Sequence, residues 1–317
     1  MIEVIVSKKR PVAEGICSFE LIAAQGSLPA FEAGAHIDVH IAPGLIRQYS
    51  LCNDPAEAHR YLIGVLNEPA SRGGSRGMHE AVKVGDRLTI GTPRNLFALA
   101  PDATRHVLIA GGIGVTPILS MAWRLHAGGA AFEMHYCARS PERAAFVDVI
   151  RAAPFARHVH FHFDSEPGQP RLDVPTVLGV PNAATHVYVC GPGGFMDHVL
   201  DSARQCGWVD SVLHREYFVA PSATDVGCDQ PFELELRRSG LLLQVPADVT
   251  ALQVLEAAGV EVSSSCEQGI CGSCLTPVLE GEPDHRDQFM TDAEHARNDQ
   301  FTPCCSRAQG ARLVLDL

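Results

Sequence analysis

The chain has 317 residues, 46% of them hydrophobic and 20% charged, a globular composition with length for two or three domains. Its formal net charge of −12 argues against nucleic-acid binding, and no run of about 18 uncharged apolar residues is present to span a membrane. Aromatics make up only 6%, with 28 Gly and 21 Pro, which fits many short strands and turns rather than a helical bundle. The 11 cysteines are an odd number, and the first residues place an apolar run before the basic ones, the reverse of an export signal. A cytoplasmic protein without a disulfide framework is therefore expected.

Residues 1–100 read as β. Apolar or alternating runs at 2–6, 16–22, 36–41, 61–66 and 87–90 are separated by turn residues, which predicts a small antiparallel barrel. Arg47-Gln48-Tyr49-Ser50-Leu51 ends a strand-like run, and Arg72-Gly73-Gly74-Ser75 follows on a loop. An arginine fork and a glycine turn with open N–H groups make a phosphate site in outline. Tyr49 is suited to pack against a flat ring and Ser50 to hydrogen-bond one of its nitrogens. Taken alone, each piece is weak: an arginine such as Arg47 is more often a surface ion pair, and SRGGS more often a flexible loop.

From about 101 to 220, strand runs at 106–110, 132–137, 158–163 and 186–190 alternate with helical stretches at 117–126, 142–153 and 195–206. This order predicts a parallel sheet covered by helices. The first strand runs into Gly111-Gly112-Ile113-Gly114-Val115-Thr116-Pro117, a glycine turn opening a helix. Such a turn suits a pyrophosphate, although it is not the G-x-G-x-x-G fingerprint of ordinary dehydrogenases. Cys190-Gly191-Pro192-Gly193-Gly194 makes a second turn at a carboxyl end of the sheet, where ligands of open α/β sheets bind. The plain alternative is two unrelated tight turns. Arg139 follows the second strand, within reach of a 2′-phosphate, so the residues alone leave NADH against NADPH open.

Residues 220–231 have the composition of a linker. Runs at 232–237 and 241–245 flank Ser239-Gly240 as a hairpin, and a short helix is expected at about 250–258. Cys266, Cys271 and Cys274 then stand as C-x4-C-x2-C, with Cys304 after 29 intervening residues. This is the spacing of a plant-type [2Fe–2S] site, in which four thiolates converge on two irons. Gly269, Gly272 and Ser273 supply the small residues that let the backbone wrap the cluster. A structural zinc site is the alternative, but zinc favours paired C-x2-C knuckles and only one is present. Spacing does not choose between Cys304 and Cys305. Cys17, Cys52, Cys137, Cys206 and Cys228 read as ordinary small hydrophobes. Residues 231–317 hold 14 Asp/Glu against 6 Lys/Arg, a formal −8, which is either a soluble acidic surface or a docking face for a basic partner.

In this order, the stretches RQYSLCND, SRGGS, TPRNLF, IAGGIGVTPIL, HYCARS, YVCGPGGFM, CEQGICGSC, DHRDQF and CCSRA resemble one family. It is the phthalate dioxygenase reductase type of the ferredoxin–NADP reductase superfamily, and the resemblance covers nearly the whole chain. It implies a multi-domain α+β and α/β fold. Residues 1–100 would be an FMN-binding β-barrel, 101–222 an NAD-binding α/β domain with a parallel sheet, and 230–317 a β-grasp ferredoxin. It further implies that Arg47, Tyr49, Ser50, Arg72, Gly73, Gly74 and Ser75 hold the flavin and its phosphate. Gly64, Val65 and Leu66 would line the ring, and Phe218 would cover it, with Glu216 a weaker candidate beside it. Gly111, Gly112, Gly114, Gly191 and Pro192 would take the nucleotide. Ser50, Thr116 and Cys190 would stand at hydride transfer, and the CCSRA match favours Cys304 as the fourth cluster ligand. Electrons would pass from NADH to FMN to [2Fe–2S], and on to the Rieske centre of an oxygenase acting on a small aromatic acid. The family suggests a monomer. A haem acceptor or a zinc-stabilised binding module are the rival readings.

Overall fold

The computed structural model describes all residues except Ala70, Arg72, Pro167, Gln169, Pro170 and 219–228. It divides into two compact units, Met1–Phe218 and Val219–Leu317. The expected linker at 220–231 falls largely outside the described residues. No helix among the described residues is long and apolar enough to cross a membrane.

The first unit opens with six strands: β1 (Ile2–Ala13), β2 (Ile16–Ala23), β3 (His36–Ala42), β4 (Leu45–Ser50), β5 (Tyr61–Leu66) and β6 (Arg87–Ile90). They form one antiparallel sheet in the order β4-β3-β6-β1-β2-β5. A bridge between Leu51 and Ile63 joins its two edges, so the sheet curls into a barrel. Inward positions alternate along the strands, and Val4, Val6, Phe19, Leu21, Ile37, Val39, Ile63 and Val65 fill the interior. The SRGGS stretch is a helix start rather than a simple loop. Gly73 turns the chain at φ 98 and α1 (Gly74–Glu80) follows, dropping Met78 into the barrel core. Lys9 Nζ donates to the carbonyls of Met78, His79 and Val82, which satisfies the end of that helix.

The same unit continues with β7 (Arg105–Gly111), α2 (Val115–Ala127), β8 (Ala131–Ala138), α3 (Val147–Ala152), β9 (Val159–Phe163), α4 (Val174–Leu178), β10 (Thr185–Cys190), α5 (Gly193–Gln205) and β11 (Leu213–Glu216). These five strands are parallel, in the order β11-β10-β7-β8-β9. Strand residues alternate between two cores. Leu108, Ala110, Met134, Tyr136 and Tyr188 face α2 and α3, while Val107, Ile109, Val187 and Val189 face α4 and α5. The first of these cores also contains Ile16, Ala33 and Cys52, so barrel and parallel sheet share apolar contacts. The chain runs outward from β7 to β9 and then returns to β10 beside β7. The topological switch point therefore lies between β7 and β10.

The helix expected at 142–153 is shorter. A 3-10 turn at Pro141–Arg143 precedes Phe146 at φ 62, and only α3 is regular. Phe146 buries its ring in the core, and the left-handed backbone that allows this breaks the helix. α4 and β11 were not among the expected elements; both are five residues or shorter.

The second unit contains β12 (Phe232–Leu236), β13 (Leu241–Val245), α6 (Ala251–Ala257), β14 (Thr276–Glu280), β15 (Pro283–Asp284), α7 (Asp292–His295), β16 (Gln300–Phe301), β17 (Arg307–Ala308) and β18 (Arg312–Leu315). Its main sheet runs β13-β12-β18-β14-β16, with β12 and β18 parallel at its centre. Phe232, Leu234, Leu236, Leu255, Phe301, Leu313 and Leu315 form the core under α6. A central parallel pair from the two ends of the unit, with a helix laid across, is the β-grasp arrangement expected here.

Candidate functional site

The two glycine turns meet at the switch point. A Cβ on Gly114 would stand 2.6 Å from the Gly191 nitrogen and closer still to the Cys190 carbonyl. One on Gly111 would stand 2.7 Å from the Phe195 ring, and one on Gly191 3.0 Å from Gly111 Cα. The turns pack backbone against backbone, and only glycine permits this approach. Cβ atoms on Gly112, Gly193 or Gly194 would meet nothing within 4 Å, so these three residues border open space. Pro192 caps α5. Two turns, read separately in the sequence, are thus one crevice outside the carboxyl ends of β7 and β10.

The barrel supplies the facing wall. The Leu51–Ile63 bridge sets Ser50 beside Gly64. A Cβ on Gly64 would lie 2.9 Å from the Thr116 methyl and 3.0 Å from the Phe146 ring. Thr116 is buried at the start of α2 and donates from Oγ1 to the Ile113 carbonyl at 3.1 Å. Ser50 donates from Oγ to Glu216 Oε2 at 3.2 Å, and His36 Nδ1 lies 3.9 Å from the other carboxyl oxygen. Burial pushes the Glu216 carboxyl up to about 8, against the opposing Ser50 hydrogen bond. Burial, helped by the Arg94 charge, holds His36 down at about 4. Between those values the two groups face each other neutral rather than as an ion pair. Glu216 pairs in register with Cys190, whose thiol is fully buried and pushed well up by burial and by that carboxyl.

Arg47 lies along α1: a Cβ on Gly74 would stand 2.5 Å from its Cγ and 2.8 Å from its Nε. Its Nη1 donates to the Ile46 carbonyl at 2.6 Å. Ser75 Oγ accepts from the Glu68 N–H at 3.1 Å, and the Gly73 N–H donates to Ser71 Oγ at 3.2 Å. Tyr49 is partly buried, which pushes its phenol above the usual range. Val65 is buried and Leu66 partly so. Arg72 lies outside the described residues. Phe218 is 38% exposed and Arg139 is also exposed. His36 and Phe146 join this neighbourhood although no motif marks them, because their contacts come from distant strands and turns.

In the second unit, Cys271, Cys274 and Cys304 are buried and Cys266 is partly so. The loop between Cys266 and Cys274 makes three left-handed turns, at Glu267 (φ 53), Gly269 (φ 71) and Gly272 (φ 66). A Cβ on Gly272 would enter the Phe289 ring, and one on Gly269 would strike Cys305 Sγ. The tight wrap turns backbone N–H groups inward: Gln268 donates to Cys266 Sγ and Ser273 to Cys271 Sγ, each at 3.4 Å. Cys274 and Cys304 pack together with Leu252. Cys305 Sγ sits 3.2 Å from Thr302 Oγ1. Three soft sulfur donors on a loop that aims N–H groups at two of them, with Cys304 packed beside Cys274, fit a [2Fe–2S] cluster.

Comparison with known proteins adds to this geometry. The family described as "2Fe-2S iron-sulfur cluster binding domain" matches residues 234–309. The family described as "Dimethylamine monooxygenase subunit DmmA-like, N-terminal domain" matches residues 92–213. Vanillate O-demethylase oxidoreductase of Pseudomonas sp. (strain HR199 / DSM 7063) is 58% identical, covering 100% of both chains. The solved phthalate dioxygenase reductase superposes with a TM-score of 0.77 at 41% identity, covering 100% of this chain and 98% of that one. The chain belongs to the phthalate dioxygenase reductase family. The reductase is accordingly an electron-transfer oxidoreductase with a C-terminal 2Fe-2S domain. It also resembles an intact type IV self-sufficient cytochrome P450 monooxygenase, with a TM-score of 0.86 at 39% identity; it spans 41% of that chain.

Proposed function

We propose that this reductase oxidises NADH at a bound FMN and passes the electrons through its [2Fe–2S] cluster to the Rieske centre of a partner oxygenase. The oxygenase would act on a small aromatic acid. The observation that carries the reading is the crevice where barrel and parallel sheet meet, with Ser50, Gly64, Thr116 and Cys190 gathered at the switch point. When bound, FMN converts a two-electron hydride into single electrons, and the cluster relays them one at a time.

The chain's own residues do the positioning. Arg47, Arg72 and the Gly73–Ser75 turn take the flavin phosphate. Tyr49, Ser50 and the 64–66 backbone hold the ring, and Phe218 covers it. Gly111, Gly112, Gly114, Gly191 and Pro192 seat the nucleotide pyrophosphate, and Arg139 lies toward its ribose. Thr116 and Cys190 flank the place where nicotinamide and flavin meet. The buried, neutral thiol of Cys190 and the closed packing around Gly64 keep water away from that place. Cys266, Cys271, Cys274 and Cys304 bind the cluster. The reading divides the chain at about residues 100 and 230 and has it act as a cytoplasmic monomer.

A haem-protein acceptor is the second reading, and the likeness to the self-sufficient P450 chain favours it. Anaerobic titration with NADH, followed by visible absorption, tests the first half. Flavin and cluster bands should bleach together, and bands that only NADPH bleaches would overturn the choice of nucleotide. Cys304→Ser should lose the cluster bands while keeping flavin reduction, whereas Cys305→Ser should keep both. The reverse result would move the fourth ligand to Cys305. Reduction of an added Rieske protein, against a cytochrome P450, separates the two acceptors.

A further inference from the structure

Backbone conformation does not ask for glycine at Gly111 or Gly191. Gly111 is extended at φ −115, and neither residue is among the glycines with positive φ. Space asks for it. A Cβ on Gly111 would stand 2.7 Å from Cδ1 and 2.9 Å from Cε1 of Phe195, and one on Gly191 would stand 2.8 Å from the same Cδ1. Contacts that short leave no room for a side chain, so one ring edge fills the space beside both residues. We propose that Phe195 is a positioning residue for the nucleotide: its ring sets the spacing between the turn after β7 and the turn after β10, and so holds the crevice open at the width of a pyrophosphate. The proposal rests on the reading of that crevice as the nucleotide site.

The ring is itself held from behind. Phe195 stands in the first turn of α5, and its N–H donates to the Pro192 carbonyl at 2.9 Å. Its side chain packs, partly buried, against the core that contains Val107, Ile109, Val189 and Met196. The place of the ring is therefore fixed by the sheet and helix beneath it, whatever the crevice holds. Pro192 adds a contact on the same side, its Cδ 3.1 Å from the Cβ position of Gly111. The open side of the crevice, at Gly112, Gly193 and Gly194, is the side that the ring leaves empty.

Spacing matters here because the turns bind through backbone. Two turns stripped of side chains have little of their own to interlock. Their N–H groups serve a phosphate only where they are already aimed, since ordering them on binding subtracts from affinity. A side chain wedged against both glycines supplies that order in advance. The atom nearest both is Cδ1. Leucine also ends a branch at Cδ1 and can keep the contact in part, whereas alanine and valine have no atom there.

The test separates the pyrophosphate from the hydride. Full-length holoprotein is titrated by calorimetry with ADP-ribose, which carries the pyrophosphate and no nicotinamide. It is also reduced anaerobically with 1-benzyl-1,4-dihydronicotinamide, which carries the hydride and no phosphate. Phe195→Ala should weaken ADP-ribose binding roughly 10-fold or more, while its reduction by the benzyl compound keeps the wild-type rate. Phe195→Leu should recover most of the lost affinity. If Phe195→Ala does not fold, Phe195→Val, which keeps bulk without a Cδ atom, takes its place. Wild-type affinity in the alanine or valine variant overturns the proposal. So does a matching loss with the benzyl compound, which would mean general damage to the first unit, and so does a leucine variant as weak as alanine. A wild type that does not bind ADP-ribose overturns the reading of the crevice itself, and the proposal falls with it.

Discussion

Glu216 carries a proton that water would remove. Burial raises its pKa from 4.5 to about 8, so between those values the folded chain holds a proton that the unfolded chain has released. Stability must then fall as pH rises across that interval. His36, depressed from 6.5 to about 4, acts the other way: its contribution is complete above 6.5 and fades as pH drops toward 4. Of these two groups, only Glu216 contributes between pH 6.5 and 8. Across that window, urea unfolding of the wild type should lose about 2 kcal/mol relative to Glu216→Gln, the comparison cancelling every other titrating group. Wild-type and variant curves that run parallel would refute the buried neutral carboxyl. At Gly64 the space is already filled, and Gly64→Ala should cost about 1–3 kcal/mol in the same assay, together with weaker flavin retention. The cysteine ligands were legible in the sequence because Cys266, Cys271 and Cys274 announce themselves within one loop. The Ser50–Glu216 contact joins residues 166 apart, and no local pattern encodes it.

At the scale of elements, long periodic segments were readable and short ones were not. α2 and α5 have 13 residues each with a clear apolar face, and β7, β8 and β10 are nearly unbroken apolar runs. α3 fails the periodic reading because Phe146 turns left-handed to bury its ring, a tertiary demand that overrides propensity. β14 to β18 were not expected as strands. They have two to five residues apiece, and their identity comes from partners across the sheet. α6 is legible from its start: Thr250 Oγ1 accepts from the Gln253 N–H, and Gln253 Oε1 accepts from the Thr250 N–H. Thr250→Ala should therefore lower the stability of the second unit by about 1 kcal/mol, read as a shift in cluster bleaching under denaturant. No shift would mean that the cap is dispensable in this fold.

For the whole molecule, charge is the property that reaches furthest. Most of the net −12 belongs to residues 231–317, which carry 14 Asp/Glu against 6 Lys/Arg. A basic acceptor would be drawn to that unit over roughly a Debye length of 8–10 Å. Stopped-flow rates of electron delivery should therefore fall steeply with ionic strength, while reduction of the flavin by nucleotide should change little. Delivery that is indifferent to salt would remove the docking-face reading and leave an acidic surface that serves solubility.

The place of β18 bears on how the chain is made. It lies between β12 and β14, in the middle of its sheet. Until residues 312–315 have left the ribosome, that sheet lacks a central strand and Cys304 has no finished fold to stand on. The first unit is complete once Glu216 has emerged, because β11 is its last strand. Nascent chains can thus close the crevice between barrel and parallel sheet while the cysteine-bearing unit is still being translated. In that order of synthesis the flavin pocket would be complete before the cluster loop has its supporting sheet.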